Sequence, residues 1–323
     1  MDIVITFKAS DKFKPLIDNA LADCANITYL FGDNIGRKKA LKSAEVIFSW
    51  NISKELSKEE YGYFEKLKFI QLLSAGANHL PFDLINENVI IASNVGAYAK
   101  PMAEHTLAMI LALAKSLFVN HQKLRNGVFD QYNENKRISG STCGILGFGG
   151  IGKETAKLLK VFNVKVYAIN TSGKTNEPVD FIGTLKDLNY VLGNSDIVVI
   201  ALPLNKSTEG LIDEKCLKTM KKDAIIVNIA RGEIIVEDAL FKHLKDNPAF
   251  KAGIDAWWIE PFSRGEFRTN NDFFALQNFI GSPHNSAIVP GAIAEALTEA
   301  IANIRNYLQG SPLKGIVKRQ DYI

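Results

Sequence analysis

The sequence predicts an α/β protein built from two doubly wound parallel sheets. Three observations carry this. Short apolar, β-rich runs alternate with helix-like stretches along nearly all of the 323 residues. A Gly-x-Gly-x-x-Gly turn, at Gly147, Gly149 and Gly152, stands mid-chain between a strand-like run and a helix-like one. The length suits two domains, and a hydrophobic content of 47% is ample for two cores.

The first five apolar runs lie at 3–7, 27–31, 46–50, 69–73 and 89–92. Mixed apolar and charged residues at helical spacing fill the gaps at 14–22, 36–43 and 58–67. Strands alternating with helices imply a parallel sheet covered on both faces. This unit has no glycine-rich phosphate loop, so it is not expected to hold a dinucleotide. Residues 99–115 read as a long helix with Pro101 in its first turn. That helix is apolar over most of its circumference, which predicts burial, in its own chain or against a partner subunit. Residues 127–141 are polar and read as loop.

A second unit is expected over about 142–285. Its strands read at 142–146, 165–169, 181–182, 197–202, 224–229, 251–256 and 279–281, with helices at 153–161, 185–192, 214–220 and 236–245. A last helix, 290–308, lies beyond the final strand and is expected to cross back and complete the first unit.

The glycine turn carries the first chemistry. Gly147 permits a tight turn off the strand, Gly149 lets the backbone approach phosphates, and Gly152 lets the new helix lie close to the strand. The helix N-terminus offers free N–H groups and a partial positive charge to an anion. A dinucleotide pyrophosphate is the ligand that asks for this arrangement.

Several classes are disfavoured. With 38 basic and 35 acidic residues, the net charge of +3 leaves no footprint for nucleic acid. Cys24, Cys143 and Cys216 lie far apart without a CxxC, as expected of reduced thiols in a cytoplasmic protein. The first residues read as a strand rather than a signal peptide. The apolar run at 107–114 is too short to span a bilayer, so no membrane partner is expected. His79, His105, His121 and His243 show no ligand spacing, so no metal site is expected. The absence of a Gly-x-Ser-x-Gly elbow disfavours a serine hydrolase.

In a doubly wound sheet, ligands bind beyond the carboxyl ends of the strands. Arg231, Glu260 and His284 follow the last three predicted strands, at the edge that holds the glycine turn. Their chemistry fits hydride transfer from a nicotinamide to a ketone. The developing alkoxide needs a proton, and His284 can donate it. Glu260 beside it would favour the imidazolium. Arg231 matches a carboxylate bidentately and can polarise a neighbouring carbonyl. Acid, charge partner and carboxylate clamp together describe a 2-oxo acid reductase.

The motifs resemble those of the D-isomer-specific 2-hydroxyacid dehydrogenase family: the turn at Gly147 to Gly152, Asn228-Ile-Ala-Arg-Gly232, Asp255 with Glu260-Pro261, and Ser282-Pro-His284, in that order. Ser74-Ala-Gly-Ala-Asn78 and Asn94 to His105 match its substrate loop and hinge. The resemblance covers nearly the whole chain. It implies a Rossmann nucleotide domain, 98–286, inserted in a flavodoxin-like substrate domain, 1–97 with 287–323. It also implies a homodimer paired through the nucleotide domain. By position, Arg231, Glu260 and His284 become the catalytic set. Ala75 and Gly76 would offer backbone N–H groups to the substrate carboxylate. Phe148, Gly149, Gly150 and Ile151 would wrap the pyrophosphate, Leu202, Pro203 and Thr208 would line the cofactor cleft, and Ile229, Ala230 and Asp255 would face the nicotinamide with His284. Trp50 and Tyr98 are either walls of the substrate pocket or members of the core.

Departures from the family narrow the substrate. Formate dehydrogenases of the family carry an asparagine where Tyr98 stands, and phosphite dehydrogenases a lysine near Ala75. Small 2-oxo acids remain, glyoxylate and hydroxypyruvate first. D-lactate or branched 2-oxo acid reduction is an alternative, as is a dinucleotide-sensing binding protein without turnover. For the cofactor, NAD-selective sites place an acid at the end of the second strand. Here Asn170, Thr171, Ser172 and Lys174 occupy that region and suit a 2′-phosphate, which favours NADP. The arginine frequent in NADPH-using relatives is missing, so NAD stays open.

Overall fold

Runs rich in Ile, Val and Phe that are buried on both faces become the strands, because a parallel sheet covered by helices asks for apolar side chains on either side. The computed structural model describes residues 1–31 and 36–323. These divide into two units, Met1–Tyr98 with Pro290–Ile323, and Ala99–Val289.

The first unit holds β1 (Asp2–Ile5), β2 (Asn26–Tyr29), β3 (Val46–Ser49), β4 (Phe69–Leu72) and β5 (Ile90–Ala92). They form one parallel sheet in the order β2-β1-β3-β4-β5. Side chains alternate across it as the pleat requires. Ile3, Ile5, Phe48 and Phe69 point to a core shared with the helices Lys14–Leu21 and Ala292–Leu308. Val4, Ile47 and Ile70 point to the other, closed by Ile52, Tyr61 and Phe82. The C-terminal helix thus crosses back, burying Ala296, Leu297, Ala300 and Ile304. The helix expected at 58–67 is not formed. Only a 3-10 turn, Glu59–Tyr63, is present, and Gly62 in its middle raises the cost of continuing as α-helix.

The second unit holds β6 (Thr142–Leu146), β7 (Lys165–Ile169), β8 (Phe181–Gly183), β9 (Ile197–Ile200), β10 (Ile225–Asn228), β11 (Lys251–Ile254) and β12 (Phe279–Gly281). All pairs are parallel, in the order β12-β11-β10-β9-β6-β7-β8. After β6 the chain builds outward on one side through β7 and β8, then returns to build the other from β9. The strand order reverses there, and a crevice opens at such a reversal. The long helix Ala99–Ala114 is buried inside this unit through Ala103, Met109, Ile110 and Leu113, against the helix Gly150–Lys160 and the sheet. A helix that the sequence reading passed over, Leu117–Arg125, follows Ser116 in a left-handed conformation (φ 48°) and has no buried residue. Among the described residues no single helix is long and apolar enough to cross a membrane.

Candidate active site

The carboxyl ends of β6, β7, β9, β10, β11 and β12 lie along one edge of the seven-stranded sheet, and the candidate residues of the second unit follow them. The glycine turn comes first. Gly147 has φ 101°, and a Cβ there would meet the Ala201 carbonyl oxygen at 2.4 Å, so only glycine fits. Its N–H and that of Phe148 both donate to the Ile169 carbonyl, at 3.0 and 2.9 Å, tying the turn to β7. A Cβ at Gly152 would meet the Gly147 carbonyl oxygen at 2.3 Å, so this glycine does allow close helix–strand packing. A Cβ at Gly149 would meet nothing within 4 Å. The helix begins at Gly150, three residues earlier than expected, directly at the turn. No side chain caps it and no acid sits in its first turn. Its first N–H groups therefore face the open side of Gly149 with the positive end of the helix dipole behind them. This cradle fits a dinucleotide pyrophosphate. Phe148 turns its ring into the core, so its contribution there is its backbone.

Beyond β7, Asn170 folds its own loop. Its Oδ1 accepts from the N–H groups of Ser172 (3.0 Å) and Gly173 (2.7 Å), and its Nδ2 donates to the Lys174 carbonyl at 2.8 Å. The side chains of Thr171 and Lys174 stand exposed on the rim. Beyond β9, Thr208 is buried and closes the Leu202-Pro203 loop, donating to the Pro203 carbonyl at 2.6 Å and accepting from the Asn205 N–H at 2.9 Å.

The next three loops carry Arg231, Glu260 and His284. After β10, the buried Asn228 shapes the turn: its Oδ1 accepts from Ala230 N–H (3.0 Å) and its Nδ2 donates to the Arg231 carbonyl (2.7 Å). Ile229 is fully buried, and the half-buried Arg231 donates from Nη1 to the Ala230 carbonyl at 2.7 Å. After β11 comes Glu260, only 5% exposed. After β12 comes His284, which adopts a left-handed backbone (φ 51°) that a side chain seldom takes.

Glu260 and His284 meet. Nδ1 of His284 lies 2.9 and 2.8 Å from the two carboxylate oxygens. Burial alone would push the Glu260 carboxyl up. The hydrogen bond and charge of His284, the Trp257 N–H and the charge of Arg231 together outweigh it and hold the group below its ordinary value. Glu260 is therefore a carboxylate at neutral pH and can only accept. Nδ1 carries a proton, and Nε2 is left for chemistry.

Two groups in this site, His105 and Trp257, were given no role by the sequence, and a third, Asp255, makes contacts the sequence did not suggest. Asp255, fully buried, accepts from Ser282 Oγ (2.5 Å) and from the N–H groups of Asn285 and Ser286 (both 3.2 Å), so it holds the chain on either side of His284. The sequence suggests a nicotinamide contact for it; here its oxygens accept from this loop. His105, on the helix Ala99–Ala114, reaches Ser282 Oγ at 2.9 Å. Because Ser282 gives its proton to Asp255, His105 Nε2 is the donor. Trp257 bonds its own loop and a neighbouring one, its N–H to Glu260 Oε2 at 3.2 Å and its indole N–H to the Ser282 carbonyl at 2.8 Å. His105 stands 177 residues from Ser282, a separation that no motif spacing reports.

The remaining candidates lie in the first unit. Ala75 ends the bend after β4 and Gly76 follows it, where Ser74 Oγ donates to the Gly76 carbonyl at 3.0 Å. Tyr98 donates to the Leu73 carbonyl at 3.1 Å, and burial pushes its hydroxyl up to about 12. Trp50 follows β3, edge-on to Phe7 with ring centroids 6.4 Å apart.

The chain has known relatives. The family model described as D-isomer specific 2-hydroxyacid dehydrogenase, NAD binding domain, matches residues 107–286. A glyoxylate reductase of Pyrococcus horikoshii is 28% identical over 292 residues, covering 87% of this chain and 85% of the relative. A hydroxypyruvate reductase of Thermotoga maritima is 30% identical over 226 residues, 69% of this chain and 72% of the relative. A crystal structure from Pyrobaculum aerophilum, described as that of a putative formate dehydrogenase, superposes with a TM-score of 0.86 at 28% identity, covering 100% of both chains. The chain belongs to the D-isomer-specific 2-hydroxyacid dehydrogenase family. It is an NAD(P)-dependent oxidoreductase of 2-hydroxy acids, with the two parallel-sheet units the sequence predicted.

Proposed function

We propose that this enzyme reduces glyoxylate or hydroxypyruvate to the 2-hydroxy acid, D-configured where C2 is chiral, at the carboxyl edge of the second unit's sheet, with His284 as proton donor. The observation that carries this is the His284–Glu260 pair at 2.8 Å, with Nδ1 engaged and Nε2 free for the substrate oxygen. A bound nicotinamide would supply the hydride. Its pyrophosphate would be held by the N–H groups of Gly149, Gly150 and Ile151, and Leu202, Pro203 and Thr208 would wall the cleft. Arg231 would clamp the substrate carboxylate and polarise the carbonyl beside it. Glu260, held ionised, stabilises the imidazolium that gives up its proton as the alkoxide forms. The first unit (1–97 with 287–323) would bind substrate through the backbone N–H groups of Ala75 and Gly76. Trp50 and Tyr98 would be walls of the substrate pocket on that unit. The names of the two curated relatives support the same substrates.

NADP is the preferred cofactor in this reading. No acid stands at the end of β7, and Thr171 and Lys174 present a hydroxyl and a positive charge on the exposed rim. Asn170 contributes by shaping that rim. A homodimer formed by the second unit is supported by a run of exposed apolar groups, Leu117, Phe118, Leu124, Phe129 and Tyr132, which soluble monomers seldom display together. The three unpaired cysteines agree with a cytoplasmic location.

The test is a panel of 2-oxo acids with NADPH and NADH, read by nicotinamide absorbance. Glyoxylate or hydroxypyruvate with NADPH should give the highest kcat/KM. Turnover on no member of the panel would refute the reading, and a lower KM for NADH than for NADPH would refute the cofactor assignment.

A further inference from the structure

Glu260 and His284 arrive on separate loops, and Trp257 makes a hydrogen bond into each. Its backbone N–H donates to Glu260 Oε2 at 3.2 Å, and its indole Nε1–H donates to the Ser282 carbonyl, two residues before His284, at 2.8 Å. The third loop touches it as well. A Cβ on Gly232, the residue after Arg231, would meet the Trp257 carbonyl carbon at 2.3 Å. A Cβ on Gly281, at the end of β12, would meet ring atoms Cζ2 and Cη2 at 2.5 and 2.8 Å. Neither glycine has a positive φ. Both are therefore glycine for space, and the space is filled by Trp257.

The ring itself is fixed. Trp257 is 4% exposed and stacks on Phe274 (centroids 5.5 Å apart, 30°), with Phe267 and Phe279 edge-on at 5.1 and 5.9 Å. The backbone of Trp257 bonds Glu260 and abuts the Arg231 turn, and its rigid ring reaches from there to the His284 loop, so the residue sets the distance between those loops. We propose that Trp257 is a positioning residue that sets the Glu260–His284 separation through its indole N–H and couples it to the Arg231 turn. This rests on the catalytic roles proposed above. Supporting shells of this kind hold reacting groups to within about half an ångström, and small misplacements cost rate rather than binding.

Trp257→Phe keeps an aromatic ring and removes the N–H. Its kcat on the best 2-oxo acid should fall about 5- to 20-fold, with the calorimetric Kd for cofactor within about twofold of wild type. Its rate–pH profile should move in the same direction as that of Glu260→Gln. Gly281→Ala supplies a second route, because its Cβ pushes the indole aside, and should reproduce the kcat loss. Phenylalanine lacks Cζ2 and Cη2 at those positions, so adding Gly281→Ala to Trp257→Phe should cost little more. If Trp257→Phe did not fold, Gly281→Ala alone would decide, by the same kcat and pH readouts. Wild-type kcat and pH profile in the folded variants, with His284→Ala inactive, would overturn the inference while leaving the site intact. Full activity of His284→Ala would overturn both.

Discussion

Glu260→Gln isolates charge from shape. Glutamine keeps an oxygen that can accept from His284 Nδ1, so the hydrogen bond survives while the negative charge is lost. Two unit charges 2.8 Å apart attract by ~6 kcal/mol at an effective dielectric of about 20. Most of that is offset by the desolvation of a carboxylate left only 5% exposed. What remains still holds Glu260 below its ordinary value. With His284 as proton donor, losing the carboxylate's charge while keeping the hydrogen bond should lower kcat/KM for the 2-oxo acid about 10- to 100-fold and change its pH profile. The assay is kcat/KM for the 2-oxo acid across pH 5 to 10. A profile that kept its position would refute the assigned link between Glu260 and the proton donor. Stability provides a second readout of the same charge. A lowered carboxyl contributes stability above its ordinary value of 4.5 that is lost as pH falls through the folded value. Wild-type Tm should therefore drop below pH 4.5 more steeply than that of Glu260→Gln.

Other variants separate the remaining parts of the site. Arg231→Ala should raise KM for the 2-oxo acid and lower kcat together, for a combined loss of about 10²- to 10³-fold in kcat/KM, whereas cofactor Kd should hold. A change confined to KM would remove the polarising role. Gly149→Ala should leave stability within about 0.5 kcal/mol, since its Cβ meets no neighbour, yet weaken dinucleotide binding more than about tenfold. Gly152→Ala should instead destabilise by about 1–3 kcal/mol in denaturant melts, because its Cβ meets backbone. Lys174→Glu should lower the NADPH-to-NADH ratio of kcat/KM about tenfold, ~1.4 kcal/mol; an unchanged ratio would shift cofactor choice to another group.

Much of this was legible because the fold repeats one local grammar. Strand cores such as Ile197–Ile200 are continuous apolar runs, and the loops after β10, β11 and β12 hold their reactive side chains in order. What failed did so for physical reasons. The segment 58–67 has helical spacing, but Gly62 and a single buried side chain, Tyr61, leave nothing to stabilise a full helix. The helix Leu117–Arg125 buries no residue, so it has no apolar stripe for periodicity to find. Within the candidate site, the sequence singled out Arg231, Glu260 and His284, whereas the contacts that hold their loops were not legible in it. Asp255, His105 and Trp257 act through contacts to the Ser282–Ser286 stretch that exist only once the sheet is assembled. Asn170 illustrates the same limit, since its Nδ2 donates to the Lys174 carbonyl and its Oδ1 accepts from the Gly173 N–H within its own loop.

The central claim is that His284 protonates a 2-oxo acid as a nicotinamide delivers hydride to its carbonyl carbon. Incubation of wild type and His284→Ala with glyoxylate or hydroxypyruvate and NADPH deuterated at the transferring position tests this directly, with the product resolved by mass and, for hydroxypyruvate, by chirality. The account predicts one deuterium on C2 of the 2-hydroxy acid, D-configured where C2 is chiral, with the rate reduced at least about 10²-fold in His284→Ala. Product without deuterium at C2, or equal rates in the two proteins, would contradict it.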